Sequence, residues 1–304
     1  MAGPTKRVFQ ADSSGAMYSM FAIIGVFVVL GCVVGGFALE GGPLGVLWQP
    51  IEVLIIVGAA VGAFFIGSPK SVIFGSMKKA IKVFTASEAG KQAYLDILSV
   101  LYTLMNMARR DGIVSIEQHV SKPDGSAVFT RYPAIMKNHE VLDFICDNFK
   151  VLLAGNIEPH QFEAVMDIDM AASHKHESNA PASLNKVADS LPGLGIVAAV
   201  LGIVLTMGKI NEPPEVLGHS IGAALVGTFL GILLSYGFVG PMAQNLEYQV
   251  KETHSMLEVV KAGLVGFSSG FPPMLAVEAA RRAVSGHARP TFEELEGALK
   301  GGQK

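Results

Sequence analysis

The chain has 304 residues, of which 50% are hydrophobic and only 16% charged, whereas a soluble domain usually carries about a quarter charged residues. A formal net charge of −3, with no basic excess in any region, argues against nucleic acid as a partner. Two cysteines, Cys32 and Cys146, make neither a disulfide framework nor a metal-ligand spacing, and no metal or cofactor is expected.

The first 16 residues, "MAGPTKRVFQADSSGA", read as a solvated tail. Residues 17–39 then form an apolar run long enough to span a bilayer. "VLGC", ending at Cys32, has the look of a lipoprotein cleavage box. However, the run continues to Leu39 with no small-residue cleavage site after it, so a retained spanning helix is expected. The connection "EGGPLGVLWQP" leads to a second run over 51–69, entered past Pro50 and Glu52 and left at "GSPK".

Residues 70–187 are too long for a linker and have helical patterning. "YLDILSVLYTLMNMARRDG" sets Leu95, Leu98, Leu101, Tyr102 and Met105 on one face. Arg109 and Arg110 fall in its last turn, and Gly112 supplies a stop. "SKPDGSA" is a turn, "AIMKNHEVLDFICDNFKVLLAGN" a second helix closed by Gly155, and a third begins at Pro159. "HKHE" at 174–177 is the nearest approach to a metal cluster. Its two histidines are two residues apart, which points them to different sides of a helix, and a solvated face is the better reading.

A third apolar run covers 188–209 and includes "DSLPGLGIVAAVLGIVLTMGK" from Asp189 to Lys209, with Pro192 inside it. A fourth covers 216–242, and the stretch from Val216 to Leu246 lacks Asp, Glu, Lys and Arg over 31 residues, so this helix is expected to project from one face. Residues 243–304 continue helical. The fold class expected is an all-α membrane protein: four transmembrane helices, a large cytoplasmic helical domain between the second and third, and a helical C-terminal tail.

Lysine and arginine set the orientation. Of 23, two precede the first run, 13 lie between the second and third and seven follow the fourth, while the connections over 40–50 and 210–216 have none. The positive-inside rule therefore puts both termini and the long loop in the cytoplasm.

Ionisable residues inside a membrane usually mark ion routes, yet Glu52, Asp189, Lys209 and His219 all stand near the ends of the runs. The interiors hold small or weakly polar groups, among them Ala198, Ala199, Thr206, Thr228 and Ser235. "GCVVG", "GAAVG" and "GTFLG" are Gly-x-x-x-Gly patterns. In the first two runs, packing among the four helices explains them. The third and fourth runs offer more small surface than that requires, so a seam receiving something else is expected, and a proton-carrying carboxylate would come from another chain. No nucleophile–base pairing is visible, and an enzyme is not expected.

"VVGGFALEGGPLGVLWQPIEVLIIVGAAVGAFFIG", "DSLPGLGIVAAVLGIV", "VGTFLGILLSYGFVGP" and "PPMLAVEAARRA", with the order and spacing of the four runs, resemble the stator subunits of the bacterial flagellar motor within the MotA/TolQ/ExbB family. The resemblance implies a homopentamer in the bacterial inner membrane around a MotB dimer, which supplies the proton-accepting aspartate and a peptidoglycan anchor. Proton flow would turn the pentamer against the rotor protein FliG. It assigns rotor contact to Arg109, with Arg110 as its neighbour, and to Glu117. It assigns coupling of proton flow to movement to Pro192, Pro241 and Asp189, and the ion path to Thr228 and Ala199. Sodium-driven relatives resemble one another in having threonine at the last position, so alanine favours protons. A TolQ- or ExbB-like subunit energising the outer membrane is the nearest alternative, but such chains typically have three crossings. A self-sufficient channel or transporter would need ionisable or unwound elements inside the runs.

Overall fold

The computed structural model describes residues 13–84, 90–155 and 157–302, and all regular structure among them is helical. In chain order the helices are α1 (Ser13–Leu39), α2 (Leu44–Leu47), α3 (Pro50–Gly67), α4 (Lys70–Lys82), α5 (Lys91–Asp111), α6 (Glu117–Ser121) and α7 (Pro133–Lys137). They continue with α8 (His139–Ala154), α9 (Pro159–Glu177), α10 (Asn179–Met207), α11 (Pro214–Leu234), α12 (Gly240–Ser268), α13 (Pro273–Ala283) and α14 (Phe292–Gly302). Of the tail expected over 1–16, residues 1–12 lie outside the described residues and the rest begin α1.

Four helical stretches, 20–39, 44–67, 159–207 and 214–268, are long and apolar enough to cross a membrane. The chain divides into two compact units, residues 1–87 with 178–248 and residues 88–177 with 249–304.

In the first unit α10 packs chiefly on α11 and α3. The contact is made by small residues in antiparallel register. A Cβ on Gly231 would lie 2.6 Å from the Leu191 carbonyl oxygen, one on Gly195 would lie 2.8 Å from the Gly227 oxygen, and one on Gly202 would lie 2.7 Å from Ala224 Cβ. The two backbones touch, which only glycine at these points permits, and contact area replaces the missing hydrophobic drive between helices in lipid. Behind this seam α3 contributes Ile56 and Ala60, buried with Leu191 and Ala198.

The glycines of the first two runs behave otherwise. A Cβ on Gly31, Gly35, Gly58 or Gly62 would meet nothing within 4 Å. The expected packing of these patterns among the four helices is therefore not made. They form small-residue strips on outward faces of α1 and α3, because the Gly-x-x-x-Gly spacing marks a face without saying what covers it.

In the second unit α5 buries Ile97, Leu98, Leu101, Leu104 and Met105 against a core that includes Phe129, Phe149, Phe162, Met166, Val260 and Val277. Gly112 and Gly155, at φ 87° and 79°, end α5 and α8 in the left-handed region that favours glycine. Pro159 opens α9, and the "PDG" turn is a single 3-10 turn over Pro123–Gly125. Cys146 is buried, and burial pushes its thiol up to about 12, so it acts as a small apolar filler.

Candidate functional site

Pro192 lies inside α10 and has no N–H to offer the Ala188 carbonyl four residues back. That carbonyl is not left empty. The Ser235 hydroxyl, 1% exposed, donates to it across the helix pair at 2.7 Å. Ser235 opens a π-helical turn, Ser235–Val239, in which the Gly240 amide reaches back five residues to the Ser235 carbonyl. The widened turn sits just before Pro241, whose ring disfavours ordinary α geometry in the turn preceding it. The two prolines of the third and fourth runs are thus joined through one hydrogen bond, Ser235 to Ala188. Asp189 is the next residue and is exposed. Sequence reading named both prolines and Asp189 but missed Ser235 as their link. The sequence offers only half of the signal, a serine in an apolar run and a carbonyl four residues before a proline; their register is set by the fold.

Ala199 is 5% exposed, and its amide would lie 3.2 Å from a Cβ on Gly227. Thr228, the residue after that glycine, is half-buried. Ala199 belongs to the α10–α11 seam, and Thr228 is the next residue after the glycine that Ala199 meets. Thr206 donates to the Gly202 carbonyl at 2.8 Å, bonding within its own helix.

Glu52 stands near the end of its run as expected, but its side chain goes where the sequence reading did not look. It stands in the first turn of α3, but its carboxylate does not stay at the helix end. The side chain crosses to the seam, where a Cβ on Gly227 would lie 2.9 Å from Oε2. Position along a run showed the backbone near an end; it could not show the direction of a three-carbon side chain.

Arg109, Arg110 and Glu117 belong to the second unit, and all three are exposed. Arg109 donates one weak bond, 3.3 Å, to the Phe271 carbonyl between α12 and α13. Arg110 makes a bidentate pair with Asp111, at 2.9 to 3.2 Å, which holds the Asp111 carboxyl below its usual range. Glu117 opens α6 immediately after a 3-10 turn, Ile113–Ile116. A shallow surface hollow beside it is lined by Val114, Ser115, Gln118, Ser121 and Lys122.

Among the described residues no three His, Cys, Asp or Glu side chains come together as a metal site. His174 of the "HKHE" stretch lies against His254, with ring centres 5.0 Å apart.

Two family models match the chain: Motility protein A N-terminal over residues 23–112, and the MotA/TolQ/ExbB proton channel family over residues 137–259. The chain is 42% identical over 278 residues to Motility protein A of Salmonella typhimurium, covering 91% of this chain and 94% of that one. It is 41% identical to Motility protein A of Escherichia coli over the same shares of the two chains. Chemotaxis protein LafT of Vibrio parahaemolyticus is 34% identical, over 91% and 97%. Among solved structures, a chain of C. jejuni MotAB superposes with a TM-score of 0.75 at 19% identity, covering 90% of this chain and 99% of that one. A chain of the flagellar MotAB stator complex from Bacillus subtilis gives 0.67 at 20%, covering 91% and 98%.

Proposed function

Because the chain belongs to the MotA/TolQ/ExbB proton channel family, we propose that it acts as one of five copies surrounding a MotB dimer and turns around that dimer as protons pass. It is a stator subunit of the flagellar motor, of the proton-channel kind. Its work is transport and force rather than catalysis of a covalent reaction.

The observation that carries this reading is the α10–α11 seam. Neither helix has an Asp or Glu from 190 to 208 or from 216 to 239, and the pair is held together by backbone contact. The pair supplies no proton acceptor from its own two helices, and among the described residues the one carboxylate that reaches it is Glu52 of α3. A MotB helix inserted against it would supply the aspartate that takes the proton. Ionised, that aspartate would be held off the apolar wall; neutral, it would be admitted. The proton's arrival is therefore a change in what the wall tolerates.

Pro192, Pro241 and Asp189 stand where such a change would be passed on. Proline removes one rung of each helix, so bending there costs less than elsewhere. Both termini and residues 70–187 would lie in the cytoplasm, with 40–50 and 210–216 outward, in the bacterial inner membrane. In that orientation Arg109, Arg110 and Glu117 would face FliG. Arg110 is neutralised locally by Asp111, whereas Arg109 bonds only a neutral carbonyl and keeps its charge available. Arg109 is therefore the arginine assigned to rotor contact. Ala199 presents a methyl group, which cannot ligate sodium as an oxygen can, and Thr228 supplies the hydroxyl of the path.

The test is purification from membranes with a single-pass partner, followed by mass measurement. Five copies of this chain to two of the partner are expected. A stable homo-oligomer that conducts protons without a partner refutes the arrangement.

A further inference from the structure

Residues 13–39, 50–67, 190–208 and 216–239 contain one Asp, Glu, Lys or Arg between them, and it is Glu52. An acid in the first turn of a helix suits the positive end of the helix dipole, and that is the ordinary reason for one. The geometry here does not serve that purpose. Oε2 is sealed from solvent and has no hydrogen-bond partner, so it caps no amide of α3.

The carboxylate goes instead to the seam. It arrives where both facing helices lack a side chain: a Cβ would lie 2.9 Å from Oε2 on Gly227 and 3.6 Å from Oε1 on Gly202. Around it Ala198 and Ala224 are 0% and 1% exposed. A leucine or methionine would fill this space with no polar atom to desolvate. An unpaired carboxylate oxygen enclosed there carries a desolvation cost, while Glu52 as a whole is half-buried.

We propose that Glu52 is a proton-binding station on the outward half of the conduction route, loaded before the proton reaches the partner's carboxylate. This rests on the reading that the chain, with its partner, conducts protons. A hydronium ion entering from the outer side gives its proton to the Glu52 carboxylate, forming the O–H bond of the acid and releasing water. That bond breaks when the proton moves to a water or acceptor further along, and the carboxylate is restored. Gly202 lies six residues before Gly208, so the station sits about 9 Å along α10 from its outward end. Thr206, one turn further outward in the same seam, is 1% exposed.

The charged and titratable groups on the packed elements are few. On α10 they are Lys186 and Asp189, before the apolar stretch. On α11 they are Glu215 and His219, both exposed in its first turns, and α2 has none. The lysines of α4 follow the opposite end of α3. None of these groups lies on the stretch of α10 or α11 that the Glu52 carboxylate meets.

The complex with its single-pass partner is reconstituted in lipid vesicles containing a pH-sensitive dye, and inward proton flux is followed as the outer pH is stepped. E52Q keeps the shape and removes the titration, and its flux is expected to fall about tenfold or more at unchanged assembly. E52D retains flux, with its half-maximal outer pH displaced. Flux from E52Q within twofold of the unaltered complex at every outer pH overturns the proposal, since the carboxyl would then be packing alone. Unaltered complex that passes no protons overturns both this station and the conduction reading. If E52Q does not assemble, infrared difference spectra across the same pH step decide: a protonated-carboxyl band that moves in E52D supports the station, and one that does not move refutes it.

Discussion

Removing the Ser235 hydroxyl tests whether the two prolines are joined as described. S235A leaves the Ala188 carbonyl, already without the amide of residue 192, facing a buried methyl group. A buried carbonyl left unsatisfied costs about 1–3 kcal/mol. Hydrogen bonds between membrane helices average nearer 0.6 kcal/mol, about 1.7 at most, because a separated helix finds other partners. Burial puts this one toward the upper part of that range: Ser235 and Ala188 are 1% and 5% exposed, so no water replaces the lost hydroxyl in the folded chain. A loss of about 1–2 kcal/mol is therefore expected. The decisive comparison is made in P192A, where a new amide at 192 can close the ordinary helical bond to Ala188. In that background S235A should cost close to nothing, giving a coupling of about 1–2 kcal/mol in the double-mutant cycle. Equilibrium unfolding of the four variants in mixed micelles measures it. An equal cost of S235A in both backgrounds would falsify the link and leave Ser235 as a polar residue bonded by chance.

The glycines separate into two groups that substitution should tell apart. G231A drives a Cβ to 2.6 Å from the Leu191 carbonyl oxygen, and the helices must part at a cost of about 1–3 kcal/mol or more. G62A meets nothing within 4 Å and should stay within about 0.5 kcal/mol in the same unfolding measurement on the isolated chain; equal costs contradict the seam. In the second unit, Glu278 is 13% exposed and bonded by Arg281 at 2.7 and 2.8 Å and by Arg282 at 2.9 Å. The Arg281 hydrogen bonds lead in holding its carboxyl down from 4.5 to about 2. A carboxyl lowered on folding stabilises fully above its unfolded value, and the gain is lost as pH falls from about 4.5 to about 2. E278Q should remove about 2–3 kcal/mol at neutral pH and flatten the acid dependence over that window. Acid unfolding followed by circular dichroism in micelles reports the opening; an unchanged acid profile in E278Q rules the pairing out as its source.

The fold was legible where one residue type has one physical consequence. Runs without charge became long helices, Gly112 and Gly155 ended α5 and α8 in left-handed geometry, and Pro159 opened α9. Legibility failed where the same residue permits several neighbours. "GAAVG" and "GTFLG" carry the same spacing, but only the second meets another backbone within this chain, because the pattern describes a face and not its occupant. The site divides in the same way. Pro192 and Pro241 announce broken rungs in any helix, whereas their joining depends on the register of α11 against α10, which no local signal contains. Glu52 is the sharpest case. Near a run's end an acid reads as solvated, and that reading assumes the side chain follows its backbone to water. Here Gly202 and Gly227 open a gap in the facing pair, and the acid leans into the apolar side. Whether an end-of-run acid belongs to the water or to the membrane therefore depends on the helices opposite, and the small residues that look like packing devices on α10 and α11 are also what makes room for its charge to be a question.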